Sequence, residues 1–167
     1  MSEMGFSQKQ VEDAYNKVKE LYTFPYGLRD MQLQAICHLV NCKHSFIVLP
    51  TGSGKTDIFV LVPLILDILD PTKKRCTLCI IPLLSLMLDM TEKYMERKVA
   101  ITMVTKLANM STDVQNGLKE GSFSVILTSP ECIQDVEHWR QIFLESQVYK
   151  ESLSLVAIDE VHVLVEW

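Results

Sequence analysis

"SFIVLPTGSGKTDIFVLVP", residues 45–63, sets two glycines, a serine and a lysine between two apolar runs. Its centre, "LPTGSGKT" (49–56), would fill a core badly but can wrap a polyphosphate. Gly52 and Gly54 permit backbone conformations that turn N–H groups inward. A helix predicted to start at about Lys55 adds the unsatisfied N–H groups of its first turn, and the two sets together bind phosphate oxygens. A buried strand over 45–49, this loop and that helix make the P-loop arrangement. Thr51, Gly52, Ser53, Gly54, Lys55 and Thr56 are its candidate nucleotide-binding residues. Lys55 is placed to reach the β- and γ-phosphates, and the Thr56 hydroxyl to ligate Mg²⁺. The strict pattern G-x-x-x-x-G-K-S/T is not met, because Leu49 stands where its first glycine would be.

Working outward, the same strand–helix alternation recurs. Ser7 and Gln10 form a capping box, and Val11, Ala14, Tyr15, Val18, Leu21 and Tyr22 follow at helical spacing. Pro25 and Gly27 end that helix, and Asp30 can cap a second one that turns Leu33, Ile36, Leu39 and Val40 inward. The third helix, from about 55 to 69, carries Pro63, which predicts a kink. Strands are predicted over 76–81, 99–105, 123–128 and 152–159, with helices over 83–97, 112–120 and 134–149. Continuously apolar strands alternating with helices predict an α/β fold, a parallel sheet of about five strands covered on both faces. His138 and Trp139 read as packing residues of the last helix, and "TKKR" (72–75) as a solvated turn.

A chain of 167 residues fits one domain, and with 48% apolar residues it can build a sizeable core. The net charge of −5 argues against nucleic-acid binding by bulk charge, so any such site must be a local patch. The first twenty residues hold no apolar signal-peptide core, and the run 58–69 is too short to span a bilayer. A nuclear or cytosolic location is expected. Cys76 and Cys79 form a CxxC without a second pair, on a strand where positions three apart face opposite sides, so packed thiols are expected rather than zinc.

A P-loop needs a distant acidic partner. "SLVAIDEVH" (154–162) offers an apolar strand ending in Asp159 and Glu160. Asp159 would hold Mg²⁺, and Glu160 would position and activate water. The plainer alternative is an acidic strand end facing solvent.

"PTGSGKT" (50–56) together with "DEVH" (159–162) resembles the superfamily 2 helicases, and further segments resemble the RecQ-like branch. "LRDMQLQAI" (28–36) is similar to that family's motif upstream of the P-loop, which implies Arg29 and Gln32 as adenine readers. "IPLLSLMLDM" (81–90), "LTSPECI" (127–133) and "DEVHVLVEW" (159–167) resemble the family's "SPLxSLMxDQ", "xxxPERL" and "DEAHCISxWG". The resemblance runs in order from about Tyr22 to Trp167. Val161, Ile81, Met90 and Cys132 depart from the family's alanine, serine, glutamine and arginine. The family's adenine-stacking aromatic falls at Pro25, which leaves neighbouring Tyr26 as the candidate. His162 matches the histidine that links nucleotide site to DNA sensing, though it could equally pack at a strand end.

The resemblance implies the first RecA-like ATP-binding domain of a DNA helicase, spanning 1–167 and ending just after "DEVH". ATP and Mg²⁺ are then the expected cofactors. Single-stranded or forked DNA would contact segments 82–86 and 128–131, and the remainder of a helicase chain would be a partner. It also implies that a strand following "DEVH" inserts between strands 45–49 and 152–159. Those two strands would otherwise sit beside a vacant slot or pair directly. Two other readings stay open. One is a P-loop NTPase or kinase of another class, although a kinase lid rich in arginine is hard to draw from Arg29, Arg75, Arg97 and Arg140. The other is a non-catalytic interaction module, favoured by the departures in the DNA-facing segments.

Overall fold

The computed structural model describes residues 5–50, 52–105, 110–133 and 145–160. Helices α1 (Gln8–Leu21), α2 (Asp30–Val40) and α3 (Lys55–Leu69) precede strand β1 (Cys76–Ile80). Then follow α4 (Leu84–Glu96), β2 (Ile101–Val104), α5 (Thr112–Glu120), β3 (Val125–Thr128), the single turn α6 (Pro130–Ile133), α7 (Gln147–Ser152) and β4 (Leu153–Ile158). The strands form one parallel sheet in the order β2-β3-β1-β4. Parallel strands need crossovers, and here the intervening helices supply them.

The sheet's two faces are covered by different helices. Cys79, Val125, Leu127 and Ile101 belong to the larger core, which they share with α1, α2, α3 and α4. Cys76, Leu78, Ile126 and Val104 pack instead with Leu118 of α5 and Tyr149 of α7. Helix α3 is buried at every position from Ile58 to Leu66, because α1 and α2 cover one side and the sheet the other. An all-round apolar helix is stable only in such a sandwich. The helix runs on through Pro63.

The α/β class and the parallel sheet agree with the pattern of the sequence. The segment 45–49 does not: it is extended but unpaired, so the described sheet has four strands. Ile47 packs against the core and Leu49 is buried, whereas Phe46 and Val48 are 83% and 74% exposed. The alternation is that of a strand, but no described strand lies beside it to complete a hydrogen-bonded ladder. Direct pairing of 45–49 with β4 does not occur; β4 pairs with β1 alone among the described residues. Helix α2 begins at Asp30 with Arg29 as its cap, one residue earlier than a cap at Asp30 would give. Of the helix expected over 134–149, residues 134–144, with His138 and Trp139, lie outside the described residues. Among the described residues, no helix is long and apolar enough to cross a membrane.

The CxxC is split by the sheet, Cys79 on one face and Cys76 on the other, as strand geometry requires. Burial pushes the Cys76 thiol up to about 12 and raises Cys79 well above its ordinary value. Cys42 is exposed. Because the thiolate is the reactive form, a thiol reagent at neutral pH is expected to label Cys42 first and Cys76 and Cys79 only on unfolding. Peptide mass spectrometry after a timed pulse measures this, and early labelling of Cys79 would contradict its place in the sheet.

Candidate nucleotide site

The loop ahead of α3 is shaped by its glycines. Gly52 and Gly54 have φ of +75° and +80°, in the left-handed region that side chains disfavour. Gly54 is the N-terminal cap of α3, so Lys55 and Thr56 occupy its first two positions, where the backbone N–H groups lack helical partners. Ser53 donates its N–H to the Pro50 carbonyl at 3.2 Å, which closes the turn. Its Oγ is buried without a hydrogen-bond partner among the described residues. Thr51 lies outside them.

Gln32 ties α2 to this loop. Its Oε1 accepts the Arg29 N–H at 2.9 Å, and its Nε2 donates to the Gly54 carbonyl at 3.1 Å. The amide keeps one N–H and one lone pair, which is the donor–acceptor pair that an adenine edge requires. Gln32 is buried, while Arg29 is exposed and Tyr26 is 73% exposed. Tyr26, Arg29, Gln32, Gly52, Ser53 and Gly54 line one cleft. The hydroxyl of Tyr15 donates to the Tyr26 carbonyl and so secures the loop that presents Tyr26.

The acidic pair arrives from the other side of the fold. Asp159 follows β4, and its N–H donates to the Ile80 carbonyl at 3.0 Å, which fixes it at the carboxyl edge of the sheet beside β1. Burial raises the Asp159 carboxyl above its ordinary range. The Glu160 N–H, donated at 3.0 Å, opposes that, the Glu160 charge adds to it, and the Lys55 ammonium pulls it back down. Lys55 lies more than a hundred positions away in the chain, and its charge is the weakest of these four influences on the carboxyl. Glu160 has φ +54°, a conformation that costs a non-glycine residue about 1–2 kcal/mol. Such departures gather where a side chain is held for a task. His162 lies outside the described residues. Among those described, no group of three His, Cys, Asp or Glu side chains forms a ready metal cluster.

Segments 82–86 and 128–131 leave the carboxyl ends of β1 and β3, so they share the edge that holds Asp159. Leu83 and Leu84 are 47% and 54% exposed there. The turn 72–75 lies at the opposite edge, tied down by Arg75, whose guanidinium meets Asp70 at 2.5 Å and whose N–H donates to Asp67 at 2.7 Å. It belongs to neither set.

The sequence reading passed over a further group beside the cleft. Asp57, next after Thr56, accepts from the Tyr94 hydroxyl at 2.5 Å and faces Lys93 at 3.4 Å and Arg97 at 3.6 Å. Burial, then the Asp57 charge, holds the Tyr94 phenol far above its ordinary value, so it stays a donor. A charged residue at the head of an otherwise apolar helix was the visible signal. Its partners on α4 were not visible, because only the packing of α4 brings them there.

A glycine-rich loop capping a helix, with an acid pair at a strand end of a parallel sheet, defines the P-loop class of nucleotide-binding folds. The chain belongs to the DEAD/DEAH box helicase family, whose profile matches residues 29–167. It is 33% identical to the ATP-dependent DNA helicase Q-like 5 of Arabidopsis thaliana over 94% of its own length and 17% of that protein's. It is 29% identical to the rat ATP-dependent DNA helicase Q1 over 83% of its length and 22% of that protein's. Identity to the ATP-dependent DNA helicase RecQ of Bacillus subtilis is 27%, over 75% of the chain and 19% of the relative. The chain thus spans less than a quarter of these RecQ-type relatives.

Proposed function

We propose that the chain is the nucleotide-binding part of an ATP-dependent, RecQ-like DNA helicase, in which ATP hydrolysis drives work on DNA. The observation that supports the reading is the glycine-capped turn that opens α3 at Lys55, with Asp159 at the carboxyl edge of the sheet that α3 packs against. Lys55, the loop N–H groups and the first turn of α3 bind the triphosphate. The lone Ser53 Oγ, the Thr56 hydroxyl and the Asp159 carboxylate are oxygen groups suited to a phosphate–Mg²⁺ pair, since Mg²⁺ takes few protein carboxylates and completes its shell with phosphate and water. When bound, Mg²⁺ neutralises charge developing on the phosphates; Thr56 and Asp159 would hold it. Glu160, held beside Asp159, orients the attacking water and takes its proton. Arg29, Gln32 and Tyr26 select the base. His162, next but one to Glu160, relays the nucleotide state to the DNA-facing segments 82–86 and 128–131. Those segments contact single-stranded or forked DNA, and a DNA substrate implies a nuclear site of action in a eukaryotic cell. The remaining length of the relatives implies that further motor elements act with this domain.

The test is base selectivity. Calorimetric titration with non-hydrolysable analogues is expected to show ATP binding about tenfold tighter than GTP, the difference a matched amide pair supports. Gln32→Ala should weaken both, by loosening Gly54, but should narrow the ratio to about threefold or less. An unchanged ratio in the variant would remove Gln32 from base recognition.

A further inference from the structure

The cleft that holds Tyr26, Arg29 and Gln32 has a second wall made by Asp57 and Arg97. Arg97 follows the last residue of α4, and its guanidinium lies 5.0 Å from the Phe24 ring centre and 5.5 Å from that of Tyr94. The Arg97 side chain is only 17% exposed. Its approach to Asp57, 3.6 Å, is close enough for charge attraction but too long for a hydrogen bond. Asp57 Oδ1 already accepts from Tyr94. Arg97 thus lines the cleft within cation–π reach of two rings and beside a balancing carboxylate, and no described residue accepts a hydrogen bond from its guanidinium. A planar set of donors on a cleft wall, hydrogen-bonded to no described residue, is open to an acceptor that enters the cleft.

We propose that Arg97 is a nucleotide-binding residue that donates to the base-and-sugar end of the nucleotide, not to its triphosphate. Two observations place it at that end. The cleft includes the base-selecting side chains and the glycine loop, but neither Lys55 nor Thr56 lines it. Asp57 also offsets the guanidinium charge, which weakens its pull on phosphate while leaving its planar donor edge free. Purine ring nitrogens and ribose oxygens are acceptors that such an edge can meet. Cation–π attraction to Phe24 and Tyr94 restrains the guanidinium, which lowers the cost of ordering it when the ligand arrives.

The inference rests on the nucleotide reading above, and its test separates the two. The ligands are a non-hydrolysable ATP analogue with Mg²⁺ and inorganic tripolyphosphate with Mg²⁺, which has neither base nor sugar. Arg97→Ala is expected to weaken the nucleotide about tenfold, the effect of one lost charge-assisted hydrogen bond, and to leave tripolyphosphate within about twofold. Lys55→Ala should weaken both. If the alanine variant loses its cooperative urea transition, Arg97→Lys takes its place. Keeping the charge for Asp57 but losing the fork, it should lose affinity for the nucleotide alone. Equal losses on both ligands, or none on the nucleotide, would overturn the role of Arg97 while Lys55 dependence upheld the phosphate site. Failure of the unaltered chain to bind either ligand would reject the nucleotide reading and this inference with it.

Discussion

Lys55→Ala is expected to weaken binding of a non-hydrolysable ATP analogue with Mg²⁺ by about a hundredfold. The ammonium stands at the first position of α3, beside the loop N–H groups and within electrostatic reach of Asp159. Each charge-assisted hydrogen bond to a phosphate is worth about 1.5–3 kcal/mol, and in the proposed role Lys55 would reach two phosphates, so two decades of affinity is the natural scale. The fold should be spared. Lys55 is half-buried at a helix end and makes no packing contact that the core depends on. Removing it also takes away the cation that offsets the burial of Asp159, so that carboxyl should rise further and hold a divalent ion less well. Isothermal calorimetry on the folded variant provides the measurement. Equal affinity for both forms would mean that the loop does not bind a triphosphate through Lys55.

Gly54→Ala should be the most damaging single methyl in the loop, while Gly52→Ala should cost much less. Both positions have positive φ, so both pay backbone strain of about 1–2 kcal/mol. They differ in what the methyl meets. A Cβ on Gly52 enters open space, whereas one on Gly54 would lie 2.5 Å from Gln32 Nε2 and 3.1 Å from Asp57 Oδ2. Gln32 must then leave, its hydrogen bond to the Gly54 carbonyl is lost, and a buried amide is left without a partner at a further cost of about 1–3 kcal/mol. The expected total is about 2–5 kcal/mol for Gly54→Ala against about 1–2 for Gly52→Ala. Urea unfolding of the two variants measures the difference, and the first should also lose nucleotide affinity because Gln32 and Asp57 both border the cleft. Equal destabilisation by the two substitutions would show that the Gln32–Gly54 contact does not brace the loop.

Much of this protein was legible in one dimension. Apolar runs alternating with helical periodicity settle the parallel α/β class, since a strand buried on both faces must be apolar throughout and a helix against a sheet must be apolar on one side. The glycines of the loop and the acids after β4 were legible for a similar reason. Phosphate binding requires particular residue types at fixed short spacings, and short spacing survives in sequence.

The segment 45–49 marks where that reasoning stops. Its residues have strand character, but a strand exists only with a partner, and no local pattern states whether a neighbour lies alongside; in the structure Phe46 and Val48 are exposed and no described residue forms a ladder with the segment. The cluster of Asp57, Tyr94, Arg97 and Phe24 was equally hidden. Its members lie up to 73 positions apart, from Phe24 to Arg97, and each alone is an ordinary surface or core residue. The sequence by itself determined the fold class, the glycine-rich turn ahead of α3 and the acidic pair after β4, because each follows from local periodicity or local spacing. Only the tertiary structure decided that Asp159 lies at the carboxyl edge of the sheet beside β1, that Gln32 braces Gly54, and that Arg97 lines the cleft beside Asp57. Those depend on how α2 and α4 pack around α3 and the sheet, and packing is set by the sum of many weak contacts that no single stretch of sequence contains.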